Sequence, residues 1–536
     1  MTYAAGTDIP ELPRISDYAA HYARIQPGTE AMILGTTRID YAELQARVDT
    51  CARALIASGI GKGDRVATLC TPHPDYFVIF LATASIGAIW VGLNPRYRRQ
   101  ELEYVLSDAM PKIAFSRTRI GERDYRPELE ALCAAMPFLA RLVILNGDPE
   151  PKSSAAMEAF LRAGRGVPDE ILLARREAVE PADPALIVYT SGSTGRSKGA
   201  LLPHRGLVKC SRVQCGIWNA RPIRVQNFLP INHIGCVGDI SCYALVGGGT
   251  IAFLEKFDPA AAMEEIVRDG ITVWGGVPTT LQMSLALPGF AQYDLSRVQI
   301  VAWSGAAAPA DLIRRLREIT PRLSNAYGMT ETVGSVTFVA PCDDIDVLAH
   351  TVGKPVDQYE VRIAGPDGSA LDTGRPGEIQ VRGDFVMKGY WNRPEATLET
   401  LDAEGWLHTG DVGLWREDGN IVLVGRMKEM FKSGGYNVYP REIEIVLEEH
   451  PAVDMAAVIG MPDPLYGEVG HAFVIKARAG ALDRTALLEH CRARLANYKI
   501  PKSFAIADEL PMLPIGKIDK RALRERLEGG DGRAQS

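Results

Sequence analysis

Cysteine is scarce and scattered in this chain. Its 536 residues hold nine, at 51, 70, 133, 210, 215, 236, 242, 342 and 491. None forms C-x-x-C and the number is odd, which argues against a disulfide scaffold or a zinc ribbon and predicts a reducing compartment, the cytoplasm. Basic excess is missing too. Lys plus Arg is 59 against 66 Asp plus Glu, a net charge of −7. A general nucleic-acid partner is disfavoured, because phosphate neutralisation needs surplus Lys and Arg. Met1 is followed by Thr-Tyr-Ala-Ala-Gly-Thr-Asp, with no basic segment and no early apolar run, so no signal peptide is expected. Long apolar runs are nearly absent. Residues 76–93 form one uncharged stretch of 18, the shortest length that can cross a bilayer. It contains Thr83, Ser85, Gly87 and Gly92, and it is predicted to be a buried helix turning at Gly87 into a strand over 88–93. Internal repeats and low-complexity linkers are also lacking.

What remains is an ordinary globular composition, 46% hydrophobic and 23% charged, in a chain too long for one core. Tyr41, Leu44, Val48, Ala52 and Leu55 recur at helical spacing, and Gly59 ends the run. Strands are predicted at 65–70, 113–115 and 142–145. The alternation of helical and strand patterns to about residue 340 predicts α/β layers with mostly parallel sheets. Residues 345–425 are rich in turns, such as Pro366-Asp367-Gly368 and Asp418-Gly419-Asn420, and predict a small β-rich subdomain. The stretch from about 430 to 525 predicts a compact α/β unit, with helices at 440–450 and 484–495 and strands at 453–459 and 472–477. The polar tail 529–536 is expected to fray.

The sharpest local feature is Tyr189-Thr190-Ser191-Gly192-Ser193-Thr194-Gly195-Arg196-Ser197-Lys198-Gly199, after an apolar strand candidate at 185–188. Glycines permit close backbone approach, and successive N–H groups can form an anion-binding nest. The hydroxyls and Lys198 add donors suited to a polyphosphate. Lys198 lies between Ser197 and Gly199, so this is not a Walker A loop. Gly195-x-Ser197-x-Gly199 also matches the nucleophile elbow of serine hydrolases, but Pro203 follows where a helix should begin. A solvated Gly/Ser surface loop is the plain alternative.

Four further segments follow: Asn325-Ala326-Tyr327-Gly328-Met329-Thr330-Glu331-Thr332, Thr409-Gly410-Asp411, Gly425-Arg426-Met427-Lys428-Glu429 with Lys432-Ser433-Gly434-Gly435, and Pro514-Ile515-Gly516-Lys517. In this order, with the 190–199 loop, the set closely resembles the adenylate-forming superfamily of acyl-CoA synthetases, adenylation domains and luciferases, over essentially the whole chain. The resemblance implies a large N-terminal domain, 1–428, containing the β-rich subdomain at 345–425. It also implies a small mobile α+β lid, 429–536, hinged at Glu429, where the family carries Asp. It implies two steps: a carboxylate attacks the α-phosphate of ATP, and a thiol then takes the acyl group from the adenylate.

In that frame ATP is expected to touch Thr190, Ser191, Gly192, Ser193, Thr194, Gly195, Lys198, Ser304, Gly305, Ala306, Ala307, Asn325 to Thr330, Asp411, Arg426 and Lys517. Glu331 is a hard oxygen ligand for Mg²⁺, and Thr330 a donor to the α-phosphate. Tyr327 offers a face to adenine, and Asp411 accepts from ribose hydroxyls. Lys517 supplies a cation to the transition state. Lys432, Ser433, Gly434 and Gly435 are expected along the path of coenzyme A. His233 is expected as a gate. The acyl pocket is assigned to His233, Cys236, Val237, Trp274, Gly275, Pro278, Trp303 and Met329, and two tryptophans lean towards an aromatic, alicyclic or medium-length acid. Positions 232–235 carry no acid and Asp239 lies several residues later, which predicts a substrate without an amine. No phosphopantetheine site follows Lys517, so coenzyme A is the expected acceptor. The leading reading is an ATP- and Mg²⁺-dependent carboxylate–CoA ligase. A stand-alone enzyme loading a carrier-protein thiol, a serine hydrolase using Ser197 and a non-catalytic nucleotide-binding protein are the alternatives. The sequence leaves the oligomeric state open, a homodimer included.

Overall fold

The computed structural model describes residues 9–145, 155–190, 197–477, 482–512 and 518–528. Two large sheets dominate its first four fifths. A nine-stranded sheet has a parallel interior that includes Glu30–Leu34, Thr250–Phe253, Arg224–Asn227, Val273–Gly276, Ile300–Ser304 and Leu323–Met329. Antiparallel strands close both its edges. A seven-stranded sheet runs parallel through Pro184–Thr190, Ile89–Leu93, Arg65–Leu69, Ile113–Ser116 and Arg141–Ile144, with Lys198–Pro203 antiparallel on one edge.

The uncharged stretch resolves as expected. Pro74–Ser85 is a helix, begun by Pro74 in its first turn and by the His73 imidazole, whose Nδ1 accepts from the Asp75 N–H at 3.1 Å. Gly87 takes φ +76° and the chain enters the strand Ile89–Leu93. The helix packs against strands of both large sheets, so all its faces are buried and none can be polar.

The turn-rich region forms a four-stranded antiparallel sheet, Glu360–Ala364, Gly377–Arg382, Trp406–Trp415 and Ile421–Arg426. Beyond it a five-stranded sheet contains Tyr436–Val438, Phe431–Ser433, Gly467–Lys476, Val453–Asp463 and Ser503–Ala507. The helices Pro440–Glu448, Arg484–Arg492 and Lys520–Glu528 belong to this part of the chain. Its hydrophobic clusters draw only on residues from 431 onward, and those of the preceding chain end at 423.

Three features depart from expectation. The second strand here begins at Gly467 rather than 472, because Gly467 and Gly470 hide the alternation on which strands are recognised. The strand Ser503–Ala507 was not anticipated. Nor was the helix Lys520–Glu528, which is largely charged and carries one wholly buried side chain, Leu523. The tail 529–536 lies outside the described residues.

Candidate active site

Parallel strands end where their side chains can reach a ligand beyond the sheet. Ile300–Ser304 and Leu323–Met329 run in register, with Ser304 opposite Ala326. Ser304 is half-buried, and Gly305, Ala306 and Ala307 form an exposed turn at this edge, with Gly305 at φ +84°. On the neighbouring strand Asn325 is buried, and its Nδ2 donates to the carbonyls of Leu348 and Thr351 at 2.8 and 3.0 Å. Ala326 is buried beside it, whereas Gly328 is exposed. Gly328 must be glycine: a Cβ there would meet the Gly334 carbonyl at 2.0 Å. Half-buried Met329 leads into the turn Thr330–Thr332, and the Thr332 hydroxyl accepts from the Met329 N–H at 2.9 Å.

That turn buries Thr330 and Glu331. Glu331 Oε1 accepts from the Thr190 hydroxyl at 3.3 Å and from the Tyr390 hydroxyl at 2.7 Å, and the Glu331 carbonyl accepts from the Met387 N–H at 2.8 Å. Tyr390 stays protonated for two reasons, burial first and the neighbouring Glu331 charge second. Thr190 and Lys198 are register partners at the ends of antiparallel strands. Ser191, Gly192, Ser193, Thr194 and Gly195 lie outside the described residues. Lys198 Nζ lies 5.1 Å from the centre of the Tyr390 ring. Tyr390 was not picked out from the sequence. Its signal is structural, a bridge pairing it with Ala200 beside the loop.

Asp411 sits within the strand Trp406–Trp415, opposite Arg426 on the next strand. Arg426 Nε is 3.1 Å from Asp411 Oδ1, and the Tyr327 hydroxyl donates to Asp411 Oδ2 at 2.8 Å. The Asp411 charge raises the Arg426 pKa. The ring of Tyr327 is buried and its hydroxyl orients the carboxylate, a role the sequence did not suggest.

His233 is half-buried, and its Nδ1 accepts from the Gly235 N–H at 3.0 Å. A π-helix, Gly235–Cys242, follows it. The expected acyl pocket is only partly assembled. Cys236 and Val237 are buried in the main core, where Cys236 Sγ lies 3.3 Å from the Tyr76 hydroxyl and 3.4 Å from Asn227 Nδ2. Trp274 and Trp303 pack in a second cluster with Leu281, Ile313 and Leu316. These four side chains are buried within hydrophobic clusters. Gly275 remains half-buried, and Pro278 starts the helix Pro278–Leu285.

Ser433 is buried, and Lys432, Gly434 and Gly435 are exposed on a hairpin, Phe431–Ser433 with Tyr436–Val438. Both central residues, Gly434 and Gly435, have positive φ, +58° and +87°, as a two-residue hairpin turn of this hand requires. Glu429 Oε2 is 2.6 Å from Lys520 Nζ, which also lies 2.8 Å from Glu444 Oε1. Lys517 lies outside the described residues. Ser197 runs into the strand Lys198–Pro203 rather than a helix, and its carbonyl accepts from the Tyr104 hydroxyl at 2.7 Å. The strand–turn–helix geometry of a hydrolase elbow is therefore not built at Ser197.

Glu331 and Thr190 present hard oxygen donors 3.3 Å apart, a set that fits a divalent cation such as Mg²⁺ sharing phosphate oxygens. No group of three or more His, Cys, Asp or Glu among the described residues could hold a metal by itself. No helix among them is long and apolar enough to cross a membrane.

Residues 19–391 match the family model for AMP-binding enzymes, and residues 442–517 match the model for the AMP-binding enzyme C-terminal domain. The chain is 36% identical over 514 residues to a feruloyl-CoA synthase of an Amycolatopsis species, covering 96% of this chain and 99% of that protein. It is 34% identical over 522 residues to an indoleacetate–CoA ligase of Aromatoleum aromaticum, covering 95% and 98%. Among solved structures, ATP-bound MatB from Rhodopseudomonas palustris superposes with a TM-score of 0.80 at 31% identity, covering 95% of this chain and 99% of that one.

Proposed function

The chain belongs to the AMP-binding enzymes of the adenylate-forming superfamily, and from that premise we propose its substrate and the division of labour among its residues. It is an AMP-forming acid–thiol ligase, joining a carboxylic acid to coenzyme A at the expense of ATP. A carboxylate oxygen attacks the α-phosphorus, the bond to pyrophosphate breaks, and an acyl-adenylate forms. The thiol of coenzyme A then attacks the acyl carbon, loses its proton and expels AMP.

The observation that carries the assignment of roles is the junction of Thr190, Glu331 and Tyr390 at the foot of the 190–198 loop. An oriented carboxylate beside this loop suits the cation of a polyphosphate, which supports the reading. Thr190 and Glu331 would hold Mg²⁺, which when bound neutralises charge on the phosphate oxygens. Thr330 donates to the α-phosphate. Asp411, oriented by Tyr327 and Arg426, accepts from the ribose hydroxyls, and Ser304 to Ala307 line the base at the open sheet edge. Lys517 brings its cation to the α-phosphate, His233 borders the acid, and the hairpin at Lys432 to Gly435 guides the thiol. Glu429 is the pivot between residues 1–428 and the C-terminal unit. The enzyme works in the cytoplasm in this reading, where ATP and coenzyme A are available.

The acid is aromatic or alicyclic, and the feruloyl-CoA synthase and the indoleacetate–CoA ligase support the aromatic choice. The test is pyrophosphate release over a panel of aromatic, alicyclic and fatty acids, with and without coenzyme A, followed by product mass. Aromatic or alicyclic acyl-CoA is expected. Thioester formation only on a carrier protein would overturn the choice of acceptor, and preference for unbranched fatty acids would overturn the choice of acid.

A further inference from the structure

Asp108 stands near the end of the helix Arg99–Ala109, outside every motif read from the sequence. Its side chain is only 10% exposed, yet each carboxylate oxygen has a donor. The Tyr189 hydroxyl donates to Oδ2 at 2.8 Å, and an Arg393 guanidinium N–H donates to Oδ1 at 2.7 Å. The Asp108 backbone carbonyl accepts from the Trp391 indole N–H at 3.0 Å. Three donors from two distant segments meet at one residue. Which donors they are matters more than their number. Tyr189 precedes Thr190, and Trp391 follows Tyr390. Thr190 and Tyr390 are the two hydroxyls that donate to Glu331 Oε1.

The backbone makes the coupling stiff. One planar peptide separates Thr190 from Tyr189, so a shift of one moves the other. Beyond Tyr390, the Arg393 N–H donates to the Tyr390 carbonyl at 3.2 Å, and the Trp391 N–H donates to the Gly199 carbonyl at 2.7 Å. Tyr104 sits one turn earlier on the helix of Asp108. Its hydroxyl donates to the Ser197 carbonyl at 2.7 Å, beside Lys198. The Arg393 pKa is raised, by a hydrogen bond with Tyr104 first and by the Asp108 charge second. Tyr189 stays protonated through burial first and its bond to Asp108 second. Packing alone does not call for an acid here, because Leu102, Val105 and Leu106 already bury the apolar face of the helix. A carboxylate so enclosed costs free energy unless donors meet it, and its donors come from the chain on both sides of the Glu331 junction.

We propose that Asp108 is a positioning residue for adenylation, holding Thr190 and Tyr390, through their chain neighbours, where ATP needs them. This rests on the ligase reading. Without the carboxylate, Tyr189 and Arg393 lose their common acceptor, and the two donors to Glu331 are free to drift apart. Thioester formation does not draw on the junction, because pyrophosphate has left by then.

The test separates the two half-reactions, using the acid of the panel above that releases most pyrophosphate, and its synthetic adenylate. Asp108→Ala is expected to lower kcat/KM for ATP in pyrophosphate release about 10- to 100-fold, and to leave thioester formation from supplied acyl-adenylate near the wild-type rate. Calorimetric titration with a non-hydrolysable ATP analogue reads the same loss without turnover, as weaker binding. Asp108→Asn keeps one acceptor and should recover part of both. Tyr189→Phe alone should lower kcat/KM less than Asp108→Ala does, and should add little to it, since the shared bond is already gone. The ratio of the two half-reactions in one preparation does not depend on the fraction of folded enzyme. The proposal is overturned if Asp108→Ala lowers both half-reactions equally or neither, if the analogue binds unchanged, or if Tyr189→Phe exerts its full effect in the Asp108→Ala background. If the wild type releases no pyrophosphate with any acid, the ligase reading beneath it falls instead.

Discussion

Tyr390 and Glu331, 59 residues apart, are joined by a 2.7 Å hydrogen bond in which the phenol donates to the carboxylate. The bond fixes the buried carboxylate of Glu331 at the foot of the 190–198 loop. Removing a donor to a charged acceptor costs about 1–2 kcal/mol. Tyr390→Phe is therefore expected to lower kcat/KM for ATP about tenfold, with a raised requirement for Mg²⁺. Titration of ATP–pyrophosphate exchange against Mg²⁺ checks this, and an unchanged Mg²⁺ profile refutes the role.

Asp411 accepts from Tyr327 and pairs with Arg426. Asp411→Asn removes the charge that orients Arg426 and weakens the ribose contact. The expected result is a 10- to 100-fold rise in KM for ATP, with a smaller fall in the rate at saturating ATP. Steady-state kinetics at varied ATP decide it.

Lys517→Ala is expected to cripple adenylation and to spare thioester formation from supplied acyl-adenylate. The cation is needed while charge builds at the α-phosphate and not when the thiol attacks. Equal loss of both half-reactions would remove Lys517 from the role.

Lys520 bridges Glu429 and buried Glu444. Lys520→Met leaves Glu444 with the more distant Arg441, at 3.5 Å, as its side-chain partner. The expected cost is about 2 kcal/mol, read as faster proteolysis within residues 430–528. Lys520→Arg should retain most of the resistance.

His204 is wholly buried, and neither of its ring nitrogens has a hydrogen-bond partner among the described residues. Burial, helped by Arg14, lowers its pKa to about 3 from 6.5. The unfolded chain takes up this proton below about pH 6.5 and the native chain resists it. The stability this group confers is full above that pH and is lost progressively as pH falls towards 3. Against His204→Leu, the wild type should lose thermal stability faster between pH 7.5 and 5, as calorimetry would record.

Much of this site could be read before any fold was known. Thr190, Glu331, Asp411 and Arg426 stood out because their motifs carry chemistry in short, ordered segments. Tyr390 did not, because its role comes from a bridge between distant segments that no local pattern encodes. Trp274 and Trp303 pack in a hydrophobic cluster, and a large aromatic suits a pocket and a core equally well. The parallel sheets followed from alternating patterns, whereas the helix Lys520–Glu528 was obscured by its charged surface.

The pairing of Thr190 with Lys198 has one more consequence. Joining the two ends of a loop carries an entropy that grows only with the logarithm of its length. Here the strands have joined those ends during folding, before any nucleotide arrives. A residue added between them should cost little, and parting the two strands should cost much more. The two ends of this segment are thus held by the architecture itself.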